Sequence, residues 1–382
     1  MFLQGGVVLS ISIPKRERQF NGRPRLPPIL LYARMAARFF MKKFEGYEKG
    51  VDFGGWLSQC SEYTDEHYRT FIVEKDFEVA ASWGIDHIRL PVDWQVFQRE
   101  DGSFIEERFS YVDKAIDWAK KYKLNMILDL HKTLGYSFDE DEEKNNFFAN
   151  EKLHQHFYAL WEEFSKRYVK FEDRLSFELL NEVTSPSYSS AWNKISANAI
   201  KIIRKYSPTI KILVGSYWNN SIDALKDLAA PADQNIVYNF HCYDPLMFTH
   251  QGAIWIKGMP ADFRLGYPTT YKEHNDAARS VGFPDFANAI DDESKTYDAD
   301  FFVKKWQAGL KVCQERDVPL YCGEYGVIDR ATPEQTLAWY KDINAAFKKC
   351  GIGRAAWNYK LMDFGLSDDR MKGVIKELIK YL

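Results

Sequence analysis

Residues 110–131 read SYVDKAIDWAKKYKLNMILDLH, a helix pattern followed directly by a strand pattern. Ser110 and Asp113 have the spacing of a capping box, and the apolar residues at positions 112, 115, 116 and 119 share one face of the predicted helix. Residues 125–130 then form a short apolar run, and Asp129 and His131 lie at its end. A helix next to a buried strand that ends in polar side chains is the repeating unit that we expect in this chain.

The same unit recurs from residue 50 onward, because short apolar or β-branched runs alternate with amphipathic segments. We predict eight strands: Gly50–Gly55, His87–Leu90, Asn125–Leu130, Leu175–Leu180, Lys211–Val214, Ile236–Phe240, Pro319–Gly323 and Arg354–Trp357. Each interval is long enough for a crossover helix, so the pattern indicates a parallel α/β sheet that closes most simply into a (β/α)8 TIM barrel. A doubly wound open sheet is the alternative, but the glycine-rich phosphate loop typical of it is absent from the sequence.

Helix ends are marked at several other positions. Thr332 to Gln335 form a second predicted capping box, with Pro333 in the first helical position. Gly84 and Gly351 are placed where helices are expected to end. These signals support the alternation of helices and strands.

The composition of the 382-residue chain is that of a globular protein. Hydrophobic residues make up 46% and charged residues 27%, which argues against disorder, and no apolar run is long enough to span a membrane. The formal net charge of −3 offers no basic surplus for nucleic acid. Aromatic residues make up 16%, which fits a large aromatic core or a sugar-binding cleft. The five cysteines show no CxxC motif and no paired histidine spacing, so we expect neither a disulfide framework nor a structural zinc site.

Residues 1–40 differ from the rest of the chain. They carry seven basic residues against one acidic residue, a net charge of +6 that leaves −9 for residues 41–382, and four prolines interrupt any long helix. The layout of a secretory signal is absent, so a cytoplasmic location is expected. We predict a basic N-terminal extension at 1–40, either disordered or upstream of a natural start at Met41, and a catalytic domain at 41–382.

The interval between the sixth and seventh predicted strands is the longest. Residues 242–318 must contain a helix near 299–315 and a long insertion rich in aromatic residues and proline. Loops that follow the strands of a barrel build the active-site face. We therefore expect this insertion to form a wall or lid of a substrate cleft.

Polar side chains lie at the carboxyl ends of six predicted strands, where ionisable residues of a barrel are typically catalytic. Glu182 and Glu324 are on the fourth and seventh strands, which face each other across an eight-stranded ring. A pair of carboxyl groups is what the hydrolysis of a glycosidic bond requires. Neither the HExxH motif of a metal hydrolase nor the GxSxG motif of a serine hydrolase is present. In Gly323-Glu324-Tyr325-Gly326 the carboxylate is predicted to occupy a tight turn.

The set resembles glycoside hydrolase family 5, the largest cellulase family. The residues that carry the resemblance are Arg89, His131, Asn181, Glu182, His241, Tyr243, Glu324 and Trp357. Six longer segments are similar to the single-domain clostridial endoglucanase C type: VDFGGWLSQ at 51–59, FELLNEV at 177–183, YNFH at 238–241, FTHQ at 248–251, YCGE at 321–324 and WNYK at 357–360. The resemblance covers residues 44–382. One departure is Lys132, where that subgroup tends to have a second histidine, and it bears on subsite preference.

The resemblance implies a retaining hydrolase without a metal or other cofactor. Glu324 would be the nucleophile and Glu182 the acid and then the base. Arg89 and Tyr243 would support the charged form of Glu324, and Asn181 would bind the sugar 2-hydroxyl. His131 and His241 would orient the sugar and Glu182, and Trp357 would be the platform under the bond that is cleaved. Further stacking candidates are Trp56, Trp218 and Trp255, for which packing is the alternative reading.

The subgroup resemblance favours a retaining endo-β-1,4-glucanase that also cleaves mixed-linkage β-glucan. Mannanase, β-1,3-glucanase and β-glucosidase activities are alternatives, because the eight residues handle the anomeric centre and not the linkage. A carbohydrate-binding barrel without catalysis is a further alternative. No linker, cellulose-binding module or dockerin-like loop is visible, which favours soluble glucan or oligosaccharides. The expected partner is a β-glucan bound by a monomer, with no nucleic acid and no membrane involved.

Overall fold

Eight parallel strands, each paired with the next in the chain, close into a barrel because the first also pairs with the last. In this computed structural model, which describes residues 41–140, 144, 146–287 and 292–382, the strands are β1 (Lys49–Asp52), β2 (His87–Asp93), β3 (Asn125–Lys132), β4 (Leu175–Glu178), β5 (Ile212–Val214), β6 (Ile236–His241), β7 (Leu320–Tyr325) and β8 (Gly353–Ala356). The (β/α)8 barrel is confirmed, and the doubly wound sheet is excluded by the pairing of Val51 with Ala356. The prediction for residues 1–40 lies outside the described residues.

Helices connect the strands along the outside of the barrel. They are α1 (Asp65–Thr70), α2 (Glu74–Ser82), α3 (Trp94–Phe97), α4 (Phe109–Lys121), α5 (Glu151–Tyr168), α6 (Ser189–Arg204), α7 (Leu246–Thr249), α8 (Tyr271–Ser280), α9 (Ala299–Arg316), α10 (Pro333–Cys350) and α11 (Ile375–Leu378). Short 3₁₀ segments lie at Glu106–Arg108, Phe147–Ala149, Val169–Phe171, Pro186–Tyr188, Ile222–Asp227, Pro284–Phe286 and Asp369–Met371. None of the helices in the described part of the chain is both long and apolar enough to cross a membrane.

Two predictions about local structure are wrong. Ser110 does not cap α4, which begins at Phe109, because its hydroxyl donates to the carbonyl of Glu107 in the preceding 3₁₀ turn. The connection between β5 and β6 holds the short segments Tyr217–Asn220 and Ile222–Asp227 in place of a full crossover helix. The Thr332 capping box at the start of α10 and the left-handed Gly351 at its end are both confirmed.

The barrel interior changes from apolar to polar along β3 and β6. An apolar cluster fills one end of the barrel, formed by Phe44, Tyr47, Ile127, Leu213, Val237, Tyr321 and Ala355. Because side chains on one face of a strand recur every second residue, the positions above Ile127 on β3 are Asp129 and His131. On β6 the corresponding series is Val237, Asn239 and His241. The sequence pattern therefore places polar groups at the carboxyl-end mouth, above an apolar floor.

The insertion between β6 and α9 contains α7, α8 and a 3₁₀ turn. It has a small core of its own around Met247, Met259 and Ala278. It also reaches the mouth of the barrel, since Ala253 packs in one cluster with Trp357 and Phe364. The predicted wall of the cleft is thus present.

Candidate active site

The structure brings all eight predicted site residues together at the mouth of the barrel. Seven of them are buried and Tyr243 is partly buried: Arg89, His131, Asn181, Glu182, His241, Tyr243, Glu324 and Trp357. Seven of them lie at or beyond the carboxyl end of their strands, whereas Arg89 lies within β2, which continues to Asp93 past the predicted end at Leu90. This is the face on which TIM-barrel enzymes carry their active sites.

Glu182 and Glu324 lie close together with His241 beside them. Carboxylate oxygens of the two residues and a ring nitrogen of His241 all lie within 4.8 Å of one another. Retaining glycosidases have carboxyl groups about 5–5.5 Å apart, and inverting enzymes about 6.5–9.5 Å apart, to make room for a water. The short separation therefore favours a covalent intermediate and a retaining mechanism.

Glu324 is held by two donors that approach its two oxygens. Arg89 Nη1 lies 2.8 Å from Oε1, and the Tyr243 hydroxyl donates to Oε2 at 2.9 Å. Glu324 lies inside β7, at an irregularity in the register with β6 and β8, and not in the predicted tight turn after the strand. Position 323 needs glycine, because a Cβ there would lie only 2.7 Å from the Asn239 side chain. The carboxylate is fixed in one orientation by a rigid strand.

Arg89 lies fully buried at the centre of a polar network. Its guanidinium binds Glu178 in a bidentate manner, with Nε–Oε2 and Nη2–Oε1 distances of 2.7 and 2.9 Å. It also lies 3.0 Å from Asp129 and 3.3 Å from Asp52, and it donates to Asn181 Oδ1 at 2.9 Å. Burial raises the pKa of Asp129 to about 8, and it raises the pKa values of Asp52 and Glu178 as well. Protonation of some of these groups at neutral pH limits the negative charge around the single guanidinium.

Glu182 has an environment different from that of Glu324. Burial raises the pKa of Glu182, whereas a hydrogen bond from Asn219 Nδ2 to Oε2 at 2.9 Å acts in the opposite direction. His241 Nδ1 contacts its other oxygen at 2.7 Å. The expected contribution of the charge of Glu324 is not among the main causes of the shift. A buried carboxyl with a raised pKa is suited to act as a general acid.

The two site histidines are neutral near pH 7. Burial lowers the pKa values of His131 and His241 to about 4. His131 Nδ1 lies 2.6 Å from Asp129 Oδ2, and its ring is parallel to that of Trp357 at 5.7 Å. His131 is therefore fixed in the cleft as a hydrogen-bonding group and not as a cation.

Trp357 and Asn181 are buried but each has a feature that suits contact with a substrate. The peptide bond between Trp357 and Asn358 is cis, and the Asn358 side chain bonds to both backbone groups of Gly54. A Cβ at Gly54 would lie 2.5 Å from the Trp357 ring, so only glycine leaves space for it. Asn181 Nδ2 is buried and has no partner among the described residues, which suits the predicted bond to a sugar hydroxyl.

The three additional tryptophan candidates separate into two groups. Trp56 is fully buried and donates to the carbonyl of Tyr68, so it is a packing residue. Trp218 and Trp255 are 56% and 50% exposed. Trp255 lies 6.2 Å from His250 and 6.5 Å from Phe364, beside the Trp357 cluster. These two rings have the exposure that stacking on sugars needs.

Lys132, the departure from the subgroup pattern, is paired with Asp139 at 2.6 Å. Its ammonium also lies 5.6 Å from the centre of the Phe138 ring. A charged side chain therefore lines this part of the rim, next to His131.

Glu182, His241 and Glu324 are close enough together to hold a metal ion. The His241 Nδ1–Glu182 Oε1 distance of 2.7 Å is instead that of a hydrogen bond, and Glu324 is already bound by Arg89 and Tyr243. This arrangement suits proton transfer better than metal ligation. The absence of a metal stays a prediction.

Sequence reasoning missed several functional groups. Asp52, Asp129 and Glu178 surround Arg89, and an inward-facing charged residue in the middle of a barrel strand is the signal that identifies such groups. Asn219 and Asn220 contact Glu182 and His241 from a turn beyond β5. Nothing in the sequence around them marks that contact, because it depends on the path of the turn.

Comparison with known proteins agrees with this geometry. Residues 48–362 match the sequence profile described as cellulase (glycosyl hydrolase family 5). Cellodextrinase A of Ruminococcus flavefaciens is 41% identical over 314 residues, which cover 82% of this chain and 86% of the relative. Endoglucanase C of Acetivibrio thermocellus is 36% identical over 339 residues, 88% of this chain and 98% of the relative. The crystal structure of the clostridial cellulose synthase subunit Z from Clostridioides difficile aligns with a TM-score of 0.69 at 27% identity, covering 87% of this chain and 99% of that one.

The resemblance found in the sequence is confirmed, and the site holds the paired carboxyl groups of a glycosidase in retaining geometry. The chain therefore belongs to the cellulase family, glycosyl hydrolase family 5, and is a glycoside hydrolase.

Proposed function

We propose that this enzyme is a retaining endo-β-1,4-glucanase that cleaves soluble β-1,4-glucan, and mixed-linkage β-glucan, by double displacement. The observation that carries the proposal is the placement of two carboxyl groups within 4.8 Å of each other in unlike environments. The two relatives described above are named cellodextrinase A and endoglucanase C, and these names support a glucan or cellodextrin substrate.

In the first half-reaction, a Glu324 oxygen bonds to the anomeric carbon while the glycosidic C–O bond breaks. Glu182 gives its proton to the departing oxygen, which its raised pKa favours. Arg89 and Tyr243 hold the nucleophile in line. In the second half-reaction, Glu182 accepts a proton from water, the water oxygen bonds to the anomeric carbon, and Glu324 leaves as a carboxylate.

The loss of charge on Glu324 in the covalent intermediate links the two steps. Loss of that negative charge favours the ionised form of Glu182, although burial and not this charge is the main cause of its raised pKa. His241 stays neutral, and its Nδ1 lies within hydrogen-bond distance of Glu182 at 2.7 Å and 3.6 Å from Glu324. One residue can therefore serve as acid and base without moving.

A substrate panel tests the proposed linkage. Reducing-sugar release is measured on carboxymethylcellulose, lichenan, laminarin, glucomannan and cellopentaose, with Glu324→Gln as the inactive control. We expect release from carboxymethylcellulose and lichenan, with an early fall in viscosity that marks internal cleavage. Release only from laminarin or glucomannan would contradict the linkage. Release only from cellopentaose would make the enzyme a cellodextrinase, the activity named for the relative from Ruminococcus flavefaciens.

The exposed Trp255 gives a prediction about substrate length. Trp255→Ala is expected to raise KM for polymeric β-glucan about threefold to tenfold, because a stacked ring contributes roughly 0.5–1.5 kcal/mol beyond its area. The kcat should change little, since the ring does not contact the reacting groups. Tyr206→Ala is the matched control, because Tyr206 is 37% exposed and lies between α6 and β5, at the opposite end of the barrel. An equal rise in KM for both variants would show that Trp255 does not contact the substrate.

A monomeric state, a cytoplasmic location and independence from a cofactor stay predictions.

A further inference from the structure

Three consecutive residues in the turn beyond β5 have left-handed backbone conformations, and none of them is glycine. Trp218, Asn219 and Asn220 have φ angles of 52°, 53° and 56°. Non-glycine residues adopt this region only where the surrounding structure enforces it, and such strain is concentrated at functional sites. We refer to these three residues as the left-handed turn.

The left-handed turn is tied by its backbone to the segment that carries the acid. The amides of Trp218 and Asn219 donate to the carbonyls of Thr184 and Val183 at 3.1 and 3.0 Å. Glu182 itself has a φ angle of 37°. The Tyr136 hydroxyl donates to the Glu182 carbonyl at 2.5 Å and accepts from the Thr184 amide at 3.0 Å, which fixes the segment from the other side.

Of the two asparagines in this turn, one donates to Glu182 directly and the other contacts His241, which in turn contacts the second oxygen of Glu182. Asn219 Nδ2 donates to Oε2 at 2.9 Å. Asn220 Nδ2 faces His241 Nε2 at 3.2 Å, and with the amide in this orientation we assign Nε2 as the acceptor and place the ring proton on Nδ1. That Nδ1–H points at Glu182 Oε1, 2.7 Å away. One carboxylate oxygen is thus held directly by the turn, and the other is held through the tautomer of His241.

We infer that the left-handed turn is a positioning device for the acid/base, in which Asn219 holds Glu182 ready to lose its proton in the first half-reaction and to regain one in the second. This inference rests on the proposed function. Burial alone raises the pKa of Glu182, and a carboxyl that held its proton too firmly would be a poor base in the second step. The Asn219 amide favours the ionised form and so counteracts burial.

Other ionisable groups also face Glu182. They are Arg89 on β2, His131 on β3, Tyr136 and Asp139 in the loop after β3, His241 and Tyr243 at the end of β6, and Glu324 on β7. None of them is changed when Asn219 is replaced. A difference between wild type and an Asn219 variant therefore reports the amide.

The test replaces Asn219 with glycine, which accepts the positive φ angle but has no amide group. With cellopentaose, we expect the basic limb of the kcat/KM pH profile to move up by about one pH unit, because the acid stays protonated longer. With dinitrophenyl cellobioside, whose leaving group needs no acid, kcat reports the second half-reaction. We expect that kcat to fall about tenfold at neutral pH, with a burst of dinitrophenol, and azide to restore it.

Two further variants make the test decisive. Asn219→Asp tolerates the same backbone and replaces the donor with a carboxylate, so its basic limb should move further up than that of Asn219→Gly. Lys123→Gly is the control for glycine at a left-handed position, since Lys123 has a φ angle of 60° and is exposed after α4. It should leave both profiles unchanged.

The outcomes separate this inference from the proposed function. Unmoved pH limbs with an equal loss of rate on both substrates would show a merely structural role for Asn219 and overturn the inference. A wild-type enzyme without activity on either substrate would instead overturn the proposed function. If the glycine variant fails to fold, the profile of Asn219→Asp decides, and an unmoved basic limb there also overturns the inference.

Discussion

Glu324→Gln is expected to lower kcat on β-glucan by at least about 10⁴-fold, since loss of a covalent nucleophile removes the reaction path that the other residues serve. The neutral amide cannot form the glycosyl ester, but it occupies the same space. Its oxygen can still accept from Arg89, which lies 2.8 Å from Oε1 in the wild type, and its amino group can donate to the Tyr243 hydroxyl. The midpoint of thermal unfolding should therefore stay close to that of the wild type, and this measurement separates catalysis from folding.

Azide distinguishes the roles of the two glutamates. In Glu324→Gly, azide can enter the space of the lost carboxylate and attack the anomeric carbon, which gives a glycosyl azide of inverted configuration. In Glu182→Gly, azide attacks the glycosyl-enzyme on Glu324, and the product keeps its configuration. The anomeric configuration of each product is determined from the coupling constant of its anomeric proton in the NMR spectrum. A product of retained configuration from Glu324→Gly would reverse the assignment of nucleophile and acid/base.

Much of the fold was predictable because the relevant signals are local. Each buried strand is a short apolar run, and β2 and β6 begin at the predicted residues His87 and Ile236. The Ser110 capping box failed because a 3₁₀ turn precedes α4 and engages the Ser110 hydroxyl. A helix end is decided by a few competing hydrogen bonds, and the sequence pattern alone does not rank them.

The site likewise has residues that were predictable from the sequence and residues that were not. Glu182, Glu324 and their six partners were predictable, since each lies in or just after a strand whose place in the barrel is known once the strands are counted. Asn219 was not predictable, because its contact with Glu182 needs a left-handed turn whose conformation is set by bonds to residues 183 and 184. The buried charges around Arg89 were partly predictable. Their positions follow from the predicted strands, but only the closed barrel shows which groups they contact.

The buried charge network gives the second large expected effect. Arg89→Met should destabilise the fold by about 3–5 kcal/mol at neutral pH, the usual cost of removing one partner from a buried ion pair. The reason is that Glu178 and Glu324 lose their charge partner at 2.7 and 2.8 Å, and Asp129 loses its partner at 3.0 Å. Activity should also be lost, because the nucleophile then lacks its guanidinium. Urea unfolding at several pH values measures the first effect, and the substrate panel measures the second.

The loss of stability in Arg89→Met is expected to depend on pH in a definite direction. Arg89 lowers the pKa values of Asp52, Asp129 and Glu178, so without it these values rise further and the folded variant binds protons more tightly than the folded wild type does. The stability deficit is therefore smallest at acidic pH, where these carboxyls are protonated in both proteins, and grows as pH rises through their wild-type pKa values, of which that of Asp129 is about 8. Arg167→Met is the control, since Arg167 forms ion pairs with Glu163 and Glu106 at a partly exposed position and should cost about 1 kcal/mol or less. If the Arg89→Met deficit were independent of pH, the loss would arise from packing, and the carboxyl groups around Arg89 would not be the reason that a buried arginine is needed there.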